Sequence, residues 1–261
     1  DINVQNSPFA RYLAANLFAA LGDVDAARIE REQFTKAIAE HYRLIDFSSQ
    51  TDTSLTQSNR NETPEWSLGP NNNVLLLSFT GMAPEKIQQD LRVYNEYWET
   101  ELKVSLPILN PYRSEIIEVE IWVGDSLMGH SILLESMHKV AQEVYTSKMP
   151  IIYGRAVLRA ISKYSGTQWV ENMPEEKDSF FAHLLEIAGD LYKEVSEKAD
   201  LRSWSSLPGN IFAHAFQLDP GSYEIEFRYI NKQGLAIYSE FRDVQINQKK
   251  SVHLLETHLA Y

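Results

Sequence analysis

Apolar positions in the first forty residues recur at steps of three and four: Phe9, Tyr12, Leu13, Leu17, Ala20 and Leu21, then Ala27, Phe34, Ala37, Ile38, His41 and Tyr42. That spacing lines one face of an α-helix, so two helices are predicted. Pro8 suits a first helical turn, Gly22-Asp23 ends the first helix, and Asp23 or Asp25 caps the second. The two form a tight antiparallel hairpin within residues 1–45. Residues 46–72 are rich in Ser, Thr, Gln, Asn and Asp, which predicts a mobile polar linker. The unbroken apolar run Val74 to Phe79 then reads as a buried central strand.

Extended segments are predicted near 86–94, 101–109 and 115–123. In the last, Ile117, Val119, Ile121 and Val123 alternate with Glu118, Glu120 and Trp122, as in a sheet with one wet face. Helices are predicted near 130–147, 150–167 and 177–198, the first carrying the stripe Leu133, Leu134, Met137, Val140, Ala141, Val144 and Tyr145. Strands return near 210–218, 222–231, 236–247 and 250–258, separated by Asp219-Pro220-Gly221, Lys232-Gln233-Gly234 and Asn247-Gln248 turns. The expected class is α+β: a helical hairpin, then a domain over 73–261 with strands in 73–124, a three-helix insertion in 130–198 and strands in 210–258. An antiparallel sheet or sandwich is expected.

Charge narrows the function. Lys and Arg number 24 against 36 Asp and Glu, a net charge of −12 that repels a phosphate backbone, so nucleic acid is not an expected partner. Without cysteine there is no disulfide, thiolate nucleophile or cysteine zinc site. No stretch reaches the roughly 18–20 apolar residues of a membrane span. Asp1 does not open a signal-peptide pattern, which fits either a cytoplasmic chain or a processed fragment.

Candidate chemistry is sparse. Gly124-Asp125-Ser126-Leu127 follows a predicted strand and precedes a predicted helix, and resembles the nucleophile turn of GDSL hydrolases. That resemblance implies Ser126 as nucleophile, but the family's Gly-x-Asn-Asp and closing Asp-x-x-His elements do not follow it, and an unassisted serine is a poor nucleophile. The alternative is a turn at Gly124-Asp125 with Ser126 as a helix cap. Seven histidines include no His-Glu-x-x-His pattern, and His253 and His258 fall on opposite strand faces. No phosphate loop or dinucleotide turn occurs, so neither metal nor cofactor is expected. Asn61-Glu62-Thr63 matches a glycosylation acceptor by pattern alone.

Arg155, Arg159 and Lys163 recur at four-residue steps, as do Glu186, Asp190 and Glu194. Complementary stripes on neighbouring helices make a surface charge network, with an anion site on the basic stripe as the alternative. Arg202 and Trp204 are of the types enriched in recognition hot spots, but equally suit a junction where helix meets sheet.

Two resemblances carry a functional expectation. Ala15, Phe18, Gly22, Asp23 and Ala27 resemble the tetratricopeptide pattern, from which Arg31, Phe34 and Ala39 depart. Leu106-Pro107, the run from Met149 to Ala160 and the segment Ala199-Asp200-Leu201-Arg202-Ser203-Trp204-Ser205-Ser206-Leu207-Pro208-Gly209 resemble an uncharacterised family of exported bacterial proteins, many of them lipoproteins. The resemblance implies an envelope or periplasmic protein with a lipid anchor upstream and no agreed activity. A non-enzymatic scaffold or adaptor that binds a protein partner through its repeat-like helices is expected, with Arg11, Tyr12, Asn16 and Phe18 as groove residues, Tyr12 and Phe18 being equally suited to the core. The alternative is a glycan or small-ligand module on the β portion, using aromatics such as Tyr94, Tyr97, Trp98, Trp122, Tyr223, Tyr229 and Tyr238.

Overall fold

A computed structural model describes residues 6–48, 72–95, 100–110, 114–165, 207–247 and 253–260. The chain divides into two compact units, 1–83 with 112–140 and 205–261, and 84–111 with 141–204.

The first unit opens on the predicted hairpin. Helix α1 (Pro8–Leu21) starts where the Ser7 side chain accepts the Ala10 N–H, and ends at Gly22, whose φ of 80° lets its own N–H reach the last turn. Glycine is the residue that adopts this left-handed cap without strain. Helix α2 (Val24–Ser48) begins as Asp23 Oδ1 accepts the Ala26 N–H, and runs past the predicted start of the linker.

One sheet of this unit has the order β10-β1-β7-β6, comprising His253–Leu259, Val74–Thr80, Asn210–Phe216 and Ile132–Ser136. The other has the order β5-β4-β8-β9, comprising Ser126–His130, Ile116–Val123, Gly221–Asn231 and Ala236–Ile246. β1 is the central strand its apolar run predicts, and its two faces serve different layers. Leu75 and Leu77 join Tyr12, Phe34, Leu134, Ala213 and Ala215 under the helices, whereas Val74 and Leu76 join Val119, Ile121, Phe212, Ile225, Phe227 and Tyr229 from both sheets. The alternation of β1 thus ties hairpin and strands into one folding unit.

Asn73 closes this core across the chain: its amide donates to the Leu218 carbonyl and accepts the Leu218 N–H, both at 2.9 Å. Thr257 donates to Ser78 at 2.8 Å where both side chains are buried. That pair sits between β1 and β10, which run parallel; the first sheet is therefore mixed, where an antiparallel one is expected from sequence.

The expected helix from residue 130 is also corrected. Gly124-Asp125 is a two-residue hairpin turn, Gly124 having φ 57°, and the chain continues as β5 and β6 before any helix begins. Ile132, Leu133 and Leu134 form a short apolar run that suits either state, and pairing of β6 with β7 decides for the strand. Helix α3 (Met137–Ser165) then passes uninterrupted through Pro150, where a break between two helices is predicted from sequence. Proline forfeits one bond in the ladder, and a helix of 29 residues retains the rest. The expected helix over 177–198 and most of the linker lie outside the described residues.

The second unit contains the antiparallel hairpin of β2 (Glu85–Asn95) and β3 (Thr100–Asn110), with the greater part of α3. Val104 and Leu106 pack with Tyr153 and Ala156, and the Tyr145 hydroxyl donates to the Pro107 carbonyl at 2.6 Å.

Candidate functional site

A cluster of chemically capable side chains lies on the solvent side of the second sheet. Alternation along β4 turns Val119 and Ile121 into the core and Glu118, Glu120 and Trp122 outward, as predicted. A register shift between Ile116 and Glu118 makes Ile116, rather than Ile117, the first buried residue of that strand. Pairing then sets His130 of β5 on one side of Glu120 and Arg228 of β8 on the other.

These groups hold one another in place. His130 Nδ1 lies 2.6 Å from Glu118 Oε1, and the Trp122 indole N–H donates to Glu120 Oε2 at 2.9 Å. The Arg228 guanidinium stands 4.3 Å from the centre of the Trp122 ring, a cation–π contact, and donates to Glu226 at 2.7 Å. That hydrogen bond holds the Glu226 carboxyl below the usual carboxylate range and raises Arg228 above its ordinary value. Ligand atoms of Glu118, Glu120 and His130 all lie within 4.8 Å of one another. Two carboxylates and an imidazole are a donor set for a divalent transition metal, although in this arrangement each carboxylate already engages a neighbour.

The alternation predicts Glu118 and Glu120 on the wet face of a strand, and His130 falls at the start of a predicted helix. Two features bring them together: Gly124-Asp125 joins two strands, and a register shift between Ile121 and Trp122 then sets His130 opposite Glu120, where an unbroken ladder would set Gly129.

The expected groove residues separate into different environments. Tyr12 is wholly buried, its ring 5.5 Å from that of Phe34, and burial raises its hydroxyl pKa. Asn16 is buried too, donating to the Tyr12 carbonyl. Tyr12 packs against Leu75 and Leu77 of the first sheet and Asn16 is buried one turn on, so neither is available to a partner, whereas Leu17 and Leu21 of the same apolar stripe are exposed. Arg11 is tied to Asn6 and to Glu30 of α2, bracing the hairpin, and Phe18 is half-buried.

Ser126 is corrected as well. It opens an exposed strand after a hairpin turn, so the strand-to-helix turn that a hydrolase nucleophile or a helix cap requires is absent there. Arg155 and Arg159 sit half-buried on α3, where Arg159 Nε donates to the Arg155 carbonyl. Arg202, Trp204, the acidic stripe of Glu186, Asp190 and Glu194, and Asn61 lie outside the described residues. Of the aromatics offered for a glycan, Tyr229 is buried, Tyr238 is exposed and Trp122 lies within the outer cluster.

No helix among the described residues is long and apolar enough to cross a membrane. Comparison with protein-family models, with curated proteins and with solved structures finds no match.

Proposed function

We propose that the protein is a non-enzymatic adaptor of the bacterial envelope that receives a protein partner on its N-terminal hairpin, read as a tetratricopeptide-like unit. The observation that carries this reading is the apolar closed end of the hairpin: Leu21 and Val24 are 81% and 76% exposed on either side of the Gly22 turn, and Leu17 lies one turn back on α1. One face of the hairpin is committed to the sheet, and among the described residues this end is exposed. Its apolar rows suit the hydrophobic face of a partner's amphipathic helix. The envelope setting rests on the resemblance carried by the Ala199–Gly209 segment.

Deleting the hairpin would unfold the core it shares with β1, so point changes test the reading. Leu21→Glu with Val24→Glu leaves melting unchanged and abolishes crosslinking to the partner in native cells. Capture that persists at wild-type yield overturns it.

A second reading, a ligand-binding module on the β portion, is favoured by the Trp122–Arg228–Glu120 arrangement on a solvent-facing sheet surface. Tryptophan fluorescence that responds to peptidoglycan fragments in the wild type and not in Arg228→Ala supports it. A flat titration removes it.

A further inference from the structure

β9 is the long free edge of the second sheet. It pairs with β8 along its length, with a register shift that leaves only Ile237 without an opposed residue, and no strand among the described residues lies on its other side. Two other edges are blunted by their length: β5 and β6 have five residues each, while the register shift of β9 falls at Ile237, next to its start. Short strands are common guards against edge-to-edge pairing, as are Pro and charged side chains, Lys above all; the charges of β9, Glu240, Arg242 and Asp243, are of mixed sign. β9 is long, contains neither Lys nor Pro, and shows apolar side chains to solvent, with Phe241 58% and Tyr238 49% exposed.

We propose that β9 pairs with β9 of a second copy of this chain, antiparallel about a two-fold axis at Phe241, joining the two four-stranded sheets edge to edge. Phe241 is the midpoint of Ala236–Ile246, so this axis sets the regular run Tyr238–Val244 against itself. Directly opposed residues in a ladder share a face. Glu240 then falls opposite Arg242 of the second copy and Arg242 opposite its Glu240, while Phe241 meets Phe241, Tyr238 meets Val244 and Ser239 meets Asp243.

The register is specified by repulsion as much as by attraction. Moving the axis to Glu240, Arg242 or Asp243 sets like charges face to face, and moving it to Ser239 shortens the ladder and leaves Arg242 against Ala236. Within one chain Arg242 already donates to Glu240, so pairing builds a cluster of alternating charge from groups held in place beforehand.

Sedimentation of the full chain across the micromolar range tests this. The wild type sediments as a dimer, and deuterium exchange slows at the amides of 236–246 as concentration rises. Glu240→Arg, which sets Arg against Arg242 of the second copy, weakens dimerisation by about tenfold or more. Glu240→Arg with Arg242→Glu restores it, because the exchange preserves every opposed pair. If the double variant fails to fold by circular dichroism, Phe241→Lys takes its place and must dissociate the dimer. A monomeric wild type, or a dimer indifferent to Glu240→Arg or Phe241→Lys, overturns the proposal; a monomer whose 236–246 amides are protected only by an added extended peptide assigns the edge to another protein.

Discussion

Nε2 of His41 accepts the backbone N–H of Ser136 at 2.8 Å, joining the second helix to the edge of the first sheet across 95 residues of chain. His41 is buried, and its burial lowers its pKa from 6.5 to about 4. The folded state therefore holds a neutral ring whose lone pair is occupied, and protonation would set a donor against a donor.

A loss of stability on mild acidification follows. Above pH 6.5 His41 is neutral in both folded and unfolded chains, and its contribution is complete. Between pH 6.5 and about 4 the unfolded chain binds the proton and the folded one does not, so stability falls with pH by up to about 3 kcal/mol. Burial lowers the pKa of His214 as well, which adds in the same direction. Urea unfolding at successive pH values reads the slope, and His41→Gln, which keeps an acceptor, flattens it. An identical slope in that variant would remove His41 as the cause.

Glu135 fastens the start of α1 to β6. Its Oε2 accepts from the Ser7 hydroxyl and from the Phe9 N–H, and the side chain is buried. Glu135→Ala leaves both donors without that partner at a helix start, and is expected to cost about 1–3 kcal/mol. Chemical denaturation measures it. Ser7→Ala removes the bond to Glu135 and the cap on the Ala10 N–H together, and the cap alone is expected to cost about 0.5–2 kcal/mol.

Gly209 is a close-approach glycine. A Cβ there would stand 2.9 Å from the Met82 carbonyl oxygen, which is backbone and cannot swing aside. Gly209 also donates to the Thr80 carbonyl and accepts the Met137 N–H at the start of α3. Gly209→Ala should therefore destabilise by about 1–3 kcal/mol through backbone displacement, with a lowered melting temperature as the readout. Gly234→Ala is a contrasting case: the space is open there, and its cost comes from φ of 76° alone.

Pro150 interrupts the hydrogen-bond ladder of α3 without ending the helix. Pro150→Ala restores an N–H donor and should raise the melting temperature, within a ceiling of about 3 kcal/mol for proline against alanine in a helix interior. A lower melting temperature would mean that the ring itself packs against something essential.

Residue patterns alone located most of the strands. The alternations in 116–123 and 221–231 and the run at 74–79 carry period and length, which suffice to say which residues turn inward. The hairpin was legible for the same reason, with Gly22 marking its turn. Residues 130–136 were not, because three adjacent apolar side chains satisfy a helix and a strand equally, and only a neighbour with open backbone groups separates the two. The outer cluster shared that fate: Glu118, Glu120 and His130 meet through a hairpin whose register shift no local pattern announces.

The sequence by itself determined the local periods, the caps, the acidic balance and the self-complementary order of charges along β9. Those depend on neighbours within a few residues, or on counting. Tertiary structure alone decided that β10 lies parallel to β1, that Tyr12 and Asn16 are buried within the chain, and that His41 sits neutral beneath Ser136. Each of these is a choice of partner across a long stretch of chain. Such choices follow from where the whole core closes, because the free energy of burying one face depends on which other face is there to cover it.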